Sequence, residues 1–508
     1  MLQDRLRAIA RDTLRGMRRG IEKESLRAQP DGALARTPHP RSLGSALAHP
    51  SITTDFSESQ IELITSAHAS VDSCLEELAE IHRFVVREIG EEVLWAGSMP
   101  CVLPAEAGIP IGRYGSSNVG VAKTVYRQGL SWRYGRRMQT ISGIHYNWSM
   151  PGLGDADYFG LIRNFRRHAW LPMYLFGASP AVCATFVEGR VHRLETLAPG
   201  TLYRPHATSL RMGRLGYQSD AQSTLLVSCN DLRSYAAGLE HGLTQVHPPY
   251  ERIGIREPGV AGDGPESYRQ LSTTLLQIEN EYYGKIRPKR PIRQGERPLH
   301  ALRERGVEYV EVRLMDLDPY AAVGITAPVM RFLDLFLLHC LLTESPPDTP
   351  EEIACVSRNQ ERVAERGREP ALTLDCAPEP RGLAQWGARI LEECAPIAEA
   401  LDAAFAGSGY RDALAAQRGV LADAALTPSA RVLADLRTHG NSYRDFARAW
   451  SARHRASLLA APLPAEAEAR QRRLAAESIQ EQRAIEGADT LPFEQFRRRY
   501  LAPERLNA

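Results

Sequence analysis

The segment RGIEKESLR, residues 19–27, sets Glu22 and Glu24 two positions apart. On a strand the side chains alternate faces, so both carboxylates point the same way and repel unless a cation or an ion pair joins them. A single such pair is ordinarily a solvated strand edge or the first turn of a helix. Three further segments repeat the pattern of one apolar and one polar face. In YVEVRLMD (309–316), Val310 and Val312 point one way and Tyr309, Glu311 and Arg313 the other. In GIHYNWSM (143–150), Ile144, Tyr146 and Trp148 oppose His145, Asn147 and Ser149. In ITTDFSESQIELIT (52–65), Asp55 precedes a turn-like break and Glu62 stands between Ile61 and Leu63. Singly, His145 reads as a hydrogen-bonded core histidine and Glu311 as the ion-pair partner of Arg313. Together, Glu22, Glu24, Asp55, Glu62, His145 and Glu311 suggest one sheet surface whose crowded charge requires cations. An oxygen-rich set with one imidazole suits Mg2+ or Mn2+ better than zinc.

Nucleotide loops are absent from the sequence. GSSNVGVAKT (115–124) has Gly115 and Gly120 at the Walker A separation, but Lys123 is displaced and no strand-then-helix order frames it. No GxGxxG opens a βαβ unit. If ATP binds, metal ions and scattered cations must hold its phosphates: Arg313, and Arg287, Lys289 and Arg290 of IRPKR, a stretch that reads equally well as an exposed basic turn.

The elements that must position these residues follow from pattern. Residues 1–20 read as an ordered first helix; the stretch is arginine-rich like a transit peptide, but Asp4 and Asp12 argue against that. Residues 20–27 read as a strand, 28–50 as a loop closing on a short strand pair, 58–90 as helical, and 94–121 as a long loop of the kind that carries function. TISGIHYNWSM and VEYVEVRLMD read as strands, and the segment around YFGLIRNFRRHAWLPMYLFG as a helix. VMRFLDLFLLHCLL, interrupted by Arg331, Asp334 and His339, reads as a buried core helix and not a membrane span. Beyond about residue 380 the chain turns to Ala, Glu, Arg and Leu, giving a catalytic region 1–380 and a helical region 381–508 packed on it. Of 508 residues, 43% are hydrophobic and 24% charged, and 62 basic against 61 acidic residues leave a net charge of +1. That balance gives no pull toward nucleic acid or a membrane surface. Eight cysteines stand singly with no CxxC, which points to reduced thiols in a cytoplasm and not to a disulfide framework.

The stretches GIEKESLR, HPSITTDFSESQIELIT, SMPC, YGSSNVGVAKTVYRQGL, RYGRRMQTISGIHYNWS, YLFGASPAVC, HATSLRMGRLGY, LLQIENEYYGKIRPKR and GVEYVEVRLMDLDP, running in order from residue 20 to about 320, resemble those of the proteobacterial glutamate–cysteine ligases. The resemblance implies an α+β fold related to glutamine synthetase: a curved antiparallel sheet forming a saddle, with surrounding helices. It implies that Glu22, Glu24, Asp55, Glu62, His145 and Glu311 are Mg2+ ligands, with Mn2+ as the substitute ion. Arg313 matches the arginine that meets the transferred phosphoryl group, and Lys289 is a further cation for ATP. Arg211 resembles a contact to the amino-acid substrate, and Tyr126, Tyr217 and Tyr283, with Phe56 and Gln139 nearby, match the cysteine pocket. Where this chain has Asn118-Val119-Gly120 the family often reads Asn-Thr-Gly, so a hydroxyl is missing.

The implied reaction is ATP-dependent ligation of the γ-carboxylate of glutamate to the amine of cysteine through γ-glutamyl phosphate, the first step of glutathione biosynthesis. Its partners are small molecules, with glutathione a candidate feedback inhibitor and a monomer the candidate assembly state. Rival readings are a ligase using another amine, a metallohydrolase with a carboxylate-bridged metal pair, and an inactive metal-binding relative.

Overall fold

The structure is a computed structural model that describes residues 2–216, 221–293, 295–375 and 379–507. Strands β1 (Arg18–Ala28), β2 (Ile52–Thr54), β3 (Gln60–Ile64), β4 (Val93–Leu94) and β5 (Ile144–Ser149) come first along the chain. β6 (Ala181–Cys183), β7 (Glu195–Ala198) and β8 (Thr201–Tyr203) form a separate small sheet. β9 (Ile286–Lys289) and β10 (Tyr309–Met315) then complete the central sheet, ordered β2–β3–β1–β5–β10–β9, with β4 paired to β1. Every pairing in it is antiparallel, the arrangement that lets one face be apolar and the other polar.

The apolar face carries Ile21, Ile61, Leu63, Ile144, Tyr146, Trp148, Val310 and Val312, all buried in one core. Helices Val71–Glu88, Asp155–His168 and Ala327–Leu342 pack behind it. Ala327–Leu342 is apolar nearly all round, as a fully enclosed helix should be. Its one buried acid, Asp334, meets Arg19 of β1 at 3.0 Å, and both side chains are fully buried. Tyr146 and Tyr410 donate to the same carboxylate at 2.7 and 3.1 Å. The network ties the sheet to the helix Gly409–Ala422. Removing one partner strands a charge in the core, so Asp334→Ala is expected to cost about 3–5 kcal/mol of unfolding free energy by denaturant titration. Tyr410→Phe, which removes one hydrogen bond to that carboxylate, should cost only about 1 kcal/mol.

Beyond residue 382 the chain is helical and lies on the sheet's supports. Tyr443–Ala460 and Ala465–Gly487 pack on Val71–Glu88, and Phe493–Leu501 packs on Asn118–Tyr134. Among the described residues no helix is long and apolar enough to cross a membrane.

Three sequence expectations need correction. Residues 2–15 form two short helices, Leu2–Ala8 and Arg11–Arg15, and β1 already begins at Arg18. Residues 58–90 are not one helix: Gln60–Ile64 is a strand, because Ile61 and Leu63 serve the core while Gln60, Glu62 and Ile64 face away. Nor are all the cysteines thiols, since Cys101 and Cys183 form a disulfide with Cα atoms 5.2 Å apart across 82 residues. Such a separation leaves no spacing signal. Cys74, Cys229, Cys340 and Cys394 are buried thiols, and Cys376 lies outside the described residues.

Candidate active site

Strand register brings the polar face together. Glu22 sits opposite His145, Glu24 opposite Glu62, and Glu311 between Asn147 and Arg287. Asp55 hangs over this floor from the turn between β2 and β3. Its carbonyl accepts from Tyr114 Oη at 2.9 Å and from Arg127, whose guanidinium lies 4.4 Å from the Tyr114 ring centre. The long loop before Ser117 therefore has a positioning task. It leads into Asn118–Tyr134, whose N-terminus is closed by Ser117 and Asp489, so that end is not a phosphate cradle. Gly120 is required there, because a Cβ would stand 2.3 Å from the Tyr114 carbonyl oxygen.

On the floor, His145 Nδ1 lies 2.9 Å from Glu22 Oε2, and its Nε2 is 3.5 Å from Glu24 Oε1. With the Nδ1 proton given to Glu22, Nε2 keeps its lone pair. Asn147 donates to Glu22 Oε1 at 2.9 Å, and the Gly143 amide to Glu24 Oε2 at 2.8 Å. Lys289 and Arg313 each stand 3.0 Å from Glu311. Arg211, buried, approaches Asp316 at 3.7 Å and the Arg313 carbonyl at 3.3 Å. Gln139 donates to Tyr283 Oη at 3.1 Å.

These contacts split the carboxylates into two kinds. Burial works against the charge on Glu311, but Arg313 and Lys289 outweigh it and hold the carboxyl well below the usual range. For Glu24, burial and then Asp55 push the carboxyl up to about 8. Burial and then Glu22 raise Glu62 well above the usual range. Burial and then Arg313 lower His145, so its imidazole is neutral. Glu24 and Glu62 thus hold protons because burial and the neighbouring carboxylates outweigh the arginines nearby, a balance that a bound cation would reverse. One ligand atom each from Glu22, His145 and Glu311 fall within 4.8 Å of one another. The buried amide oxygen of Asn147 has no hydrogen-bond partner among the described residues. A hard divalent ion fits this donor set.

A cavity of about 400 Å3 stands over the floor, and Glu22, Glu24, Asp55, Glu62, His145, Glu311, Arg313, Arg211, Lys289, Phe56, Tyr126, Gln139 and Tyr283 all line it. Tyr217 lies outside the described residues. Sequence reasoning missed Lys123 and Arg127 as cavity residues. With Val119, Ala122, Tyr126 and Leu130 they make one helical stripe facing the cavity. The 3–4 residue spacing was a usable signal; which way the stripe faced was not. Burial lowers Lys123 to about 8.

An antiparallel sheet with an acidic floor, cations beside it and a cavity above is the setting of a carboxylate-rich ligand site. The chain belongs to the glutamate-cysteine ligase family, whose model matches residues 4–154 and 151–363. It is 46% identical to a glutamate–cysteine ligase of Alcanivorax borkumensis, over 97% of each chain, and 47% identical to one of Azotobacter vinelandii, over 96% of this chain and 95% of that one. The crystal structure of the Francisella tularensis glutamate–cysteine ligase in complex with AMP superposes with a TM-score of 0.91 at 34% identity, covering 96% of this chain and 98% of that one. A bifunctional glutathione synthetase from Pasteurella multocida shares the fold, with a TM-score of 0.69 at 24% identity over 90% of this chain and 54% of that one. Membership of a ligase family sets aside the hydrolase reading.

Proposed function

We propose that the protein joins the γ-carboxylate of L-glutamate to the amine of L-cysteine with hydrolysis of ATP to ADP, through γ-glutamyl phosphate. The observation that carries this reading is the cross-strand floor of Glu22, Glu24, Glu62, His145 and Glu311 beside Arg313 and Lys289, in a chain of the glutamate–cysteine ligase family. Glu22, Glu24, Asp55, Glu62, His145 and Glu311 would hold Mg2+ or Mn2+, which neutralises charge on the phosphate oxygens. Lys289 binds the nucleotide phosphates, and Arg313 meets the phosphoryl group as it passes to glutamate's carboxylate. Arg211 holds the amino acid. Phe56, Tyr126, Gln139, Tyr283 and Tyr217 wall the cysteine side chain beside the activated carboxyl, making the amine's attack effectively intramolecular. Release of phosphate leaves γ-glutamylcysteine, the first intermediate of glutathione synthesis. Glutathione carries that same unit, which suits it as a competing inhibitor. A reaction that consumes ATP suits the cytoplasm.

The test is ADP release with glutamate, Mg2+ and a panel of amines. Cysteine should dominate, with 2-aminobutyrate partly accepted, because an apolar wall discriminates by only about 1–3 kcal/mol. A panel without preference for cysteine contradicts the acceptor assignment.

The raised carboxyls make a pH prediction. In the folded, metal-free protein Glu24 keeps its proton up to about pH 8, whereas in the unfolded chain it loses it in the ordinary carboxylate range. The stabilisation is therefore full at low pH and lost as pH rises through about 8. Mg2+ binds the deprotonated form, so its apparent affinity should rise up to about tenfold per pH unit per proton displaced and level off only once Glu24 and Glu62 have both lost their protons. Thermal melts with and without Mg2+ at pH 6 and 8.5 should show the larger shift at 8.5; equal shifts contradict the assignment.

A further inference from the structure

A second pocket, of about 740 Å3, lies away from the acidic floor, and the two share no lining residue among those described. It opens between the last turn of helix Asp155–His168, the segment that follows Ala327–Leu342, and the helices Pro350–Arg366 and Leu383–Glu393. Asp155–His168 packs behind the sheet's apolar face, so the sheet stands between this pocket and the floor. Its size is that of a small-molecule site, and nothing in the proposed reaction uses it.

The base of the pocket is apolar. Trp386 and Ile390, one helical turn apart on Leu383–Glu393, present the same face to it. Ile390 is buried and Trp386 half-buried. The Trp386 ring is backed by two others: its centre lies 5.0 Å from that of the fully buried Trp170 and 5.8 Å from that of His168, which meets it edge-on at 87°. The indole is therefore a fixed wall. Burial, then His339 and Arg167, lower His168 to about 3, so this imidazole adds no charge.

The rim is charged, and its acids are all engaged. Glu352 is held by Arg167 at 2.6 Å, Asp375 by Arg362 at 3.0 Å and Arg358 at 3.5 Å, and Glu393 by His339 at 2.9 Å and Arg389 at 3.1 Å. Glu351 bonds its own backbone amide and Thr349 at the start of its helix. Among the described residues Arg381 alone of the lining arginines has no acceptor; it is exposed, and its guanidinium stands 5.8 Å from the centre of the Trp386 ring. A fixed aromatic wall with an unused fork of donors beside it suits a ligand with a flat ring and a carboxylate. The ring covers the indole and the carboxylate takes the guanidinium. A cationic ligand would be repelled by Arg381, and an aliphatic acid would gain less from the ring.

We propose that this pocket is a binding site for a planar aromatic carboxylate, separate from the cavity over the acidic floor.

The test is calorimetric binding of 2-naphthoate to the full-length protein, with no turnover required. The wild type should bind it equally well with and without saturating MgADP and glutamate. Arg381→Gln should weaken binding about tenfold, the scale of one lost charge-assisted hydrogen bond. The melting temperature and the KM values of that variant should be unchanged, because the exposed guanidinium supports nothing else. Naphthalene-2-methanol, which keeps the ring without the charge, and cyclohexanecarboxylate, which keeps the charge without the aromatic ring, should each bind at least about tenfold more weakly than 2-naphthoate. Cys355, a half-buried thiol, also lines the pocket, so 2-naphthoate should slow its alkylation by iodoacetamide as read by peptide mass spectrometry. The proposal is overturned if 2-naphthoate does not bind, if Arg381→Gln binds it as the wild type does, or if cyclohexanecarboxylate binds as tightly. Displacement by MgADP or glutamate, or alkylation of Cys355 at an unchanged rate, overturns it equally, since either would put the ligand elsewhere.

Discussion

Glu62→Gln is expected to lower kcat by about a hundredfold or more while leaving the metal-free fold as stable as the wild type. Both halves come from the same geometry. Glu62 lies opposite Glu24 on the floor, and burial with Glu22, Asp55 and Glu24 nearby already keeps its carboxyl protonated without a cation. A glutamine copies that neutral form, so the apo protein loses nothing. If Glu62 holds a metal ion as proposed, glutamine removes an anionic ligand from the site where phosphoryl charge would develop, a loss on the scale of a preorganised electrostatic contact. Glu311→Gln should lower turnover as much, but at a cost in stability, because Arg313 and Lys289 each lose the carboxylate 3.0 Å away. Steady-state kinetics and melts on the pair separate the two effects. Near-normal turnover in both variants would remove the metal assignment.

Gly143→Ala should be nearly as damaging, although alanine adds only a methyl group. A Cβ at Gly143 would stand 1.9 Å from Arg211 Nη2 and 2.4 Å from its Cζ. The guanidinium is buried and also engages the Arg313 carbonyl, so it can clear the methyl only by leaving its place. Gly143 further supplies the amide that holds Glu24 at 2.8 Å and the carbonyl that accepts from the Glu24 amide at 3.0 Å. If Arg211 holds the amino-acid substrate, displacing it by about 1 Å should reduce kcat/KM for glutamate about a hundredfold, with a smaller change in the ATP KM. Unchanged kinetics with an unchanged melt would show that Arg211 relaxes freely and does not position substrate.

How much of this was legible in sequence depended on how local the signal was. GIHYNWSM and YVEVRLMD alternate cleanly, and both are strands with the expected face toward the core. Glu62 was legible as a sheet-face residue, but the extent of the strand Gln60–Ile64 was not, because it is five residues long and runs soon into the amphipathic helix Val71–Glu88, whose period dominated residues 58–90. Asp55 could be placed near the floor, but not the Tyr114 and Arg127 contacts that hold its backbone. Those depend on how helix Asn118–Tyr134 crosses the sheet. The carboxylate pairs across strands required the register, and one residue of slip would have sent every one of them to the core. Arg19 and Asp334 looked like unrelated charges because 315 residues separate the partners. The same holds for Phe496 and Tyr500, which reach the cavity from the far end of the chain with nothing local to announce it. Tyr126 and Tyr283 were named from family resemblance alone, and the structure finds both lining the cavity.

The central claim is that a carboxylate oxygen of glutamate is phosphorylated before the amine attacks. Glutamate labelled with 18O in its γ-carboxylate, turned over with ATP, Mg2+ and cysteine, tests this directly by mass spectrometry of the released inorganic phosphate. One labelled oxygen per phosphate is the predicted result. Phosphate free of label, with the label found only in γ-glutamylcysteine, AMP or unreacted glutamate, would contradict an acyl-phosphate route and the roles given to the floor and to Arg313.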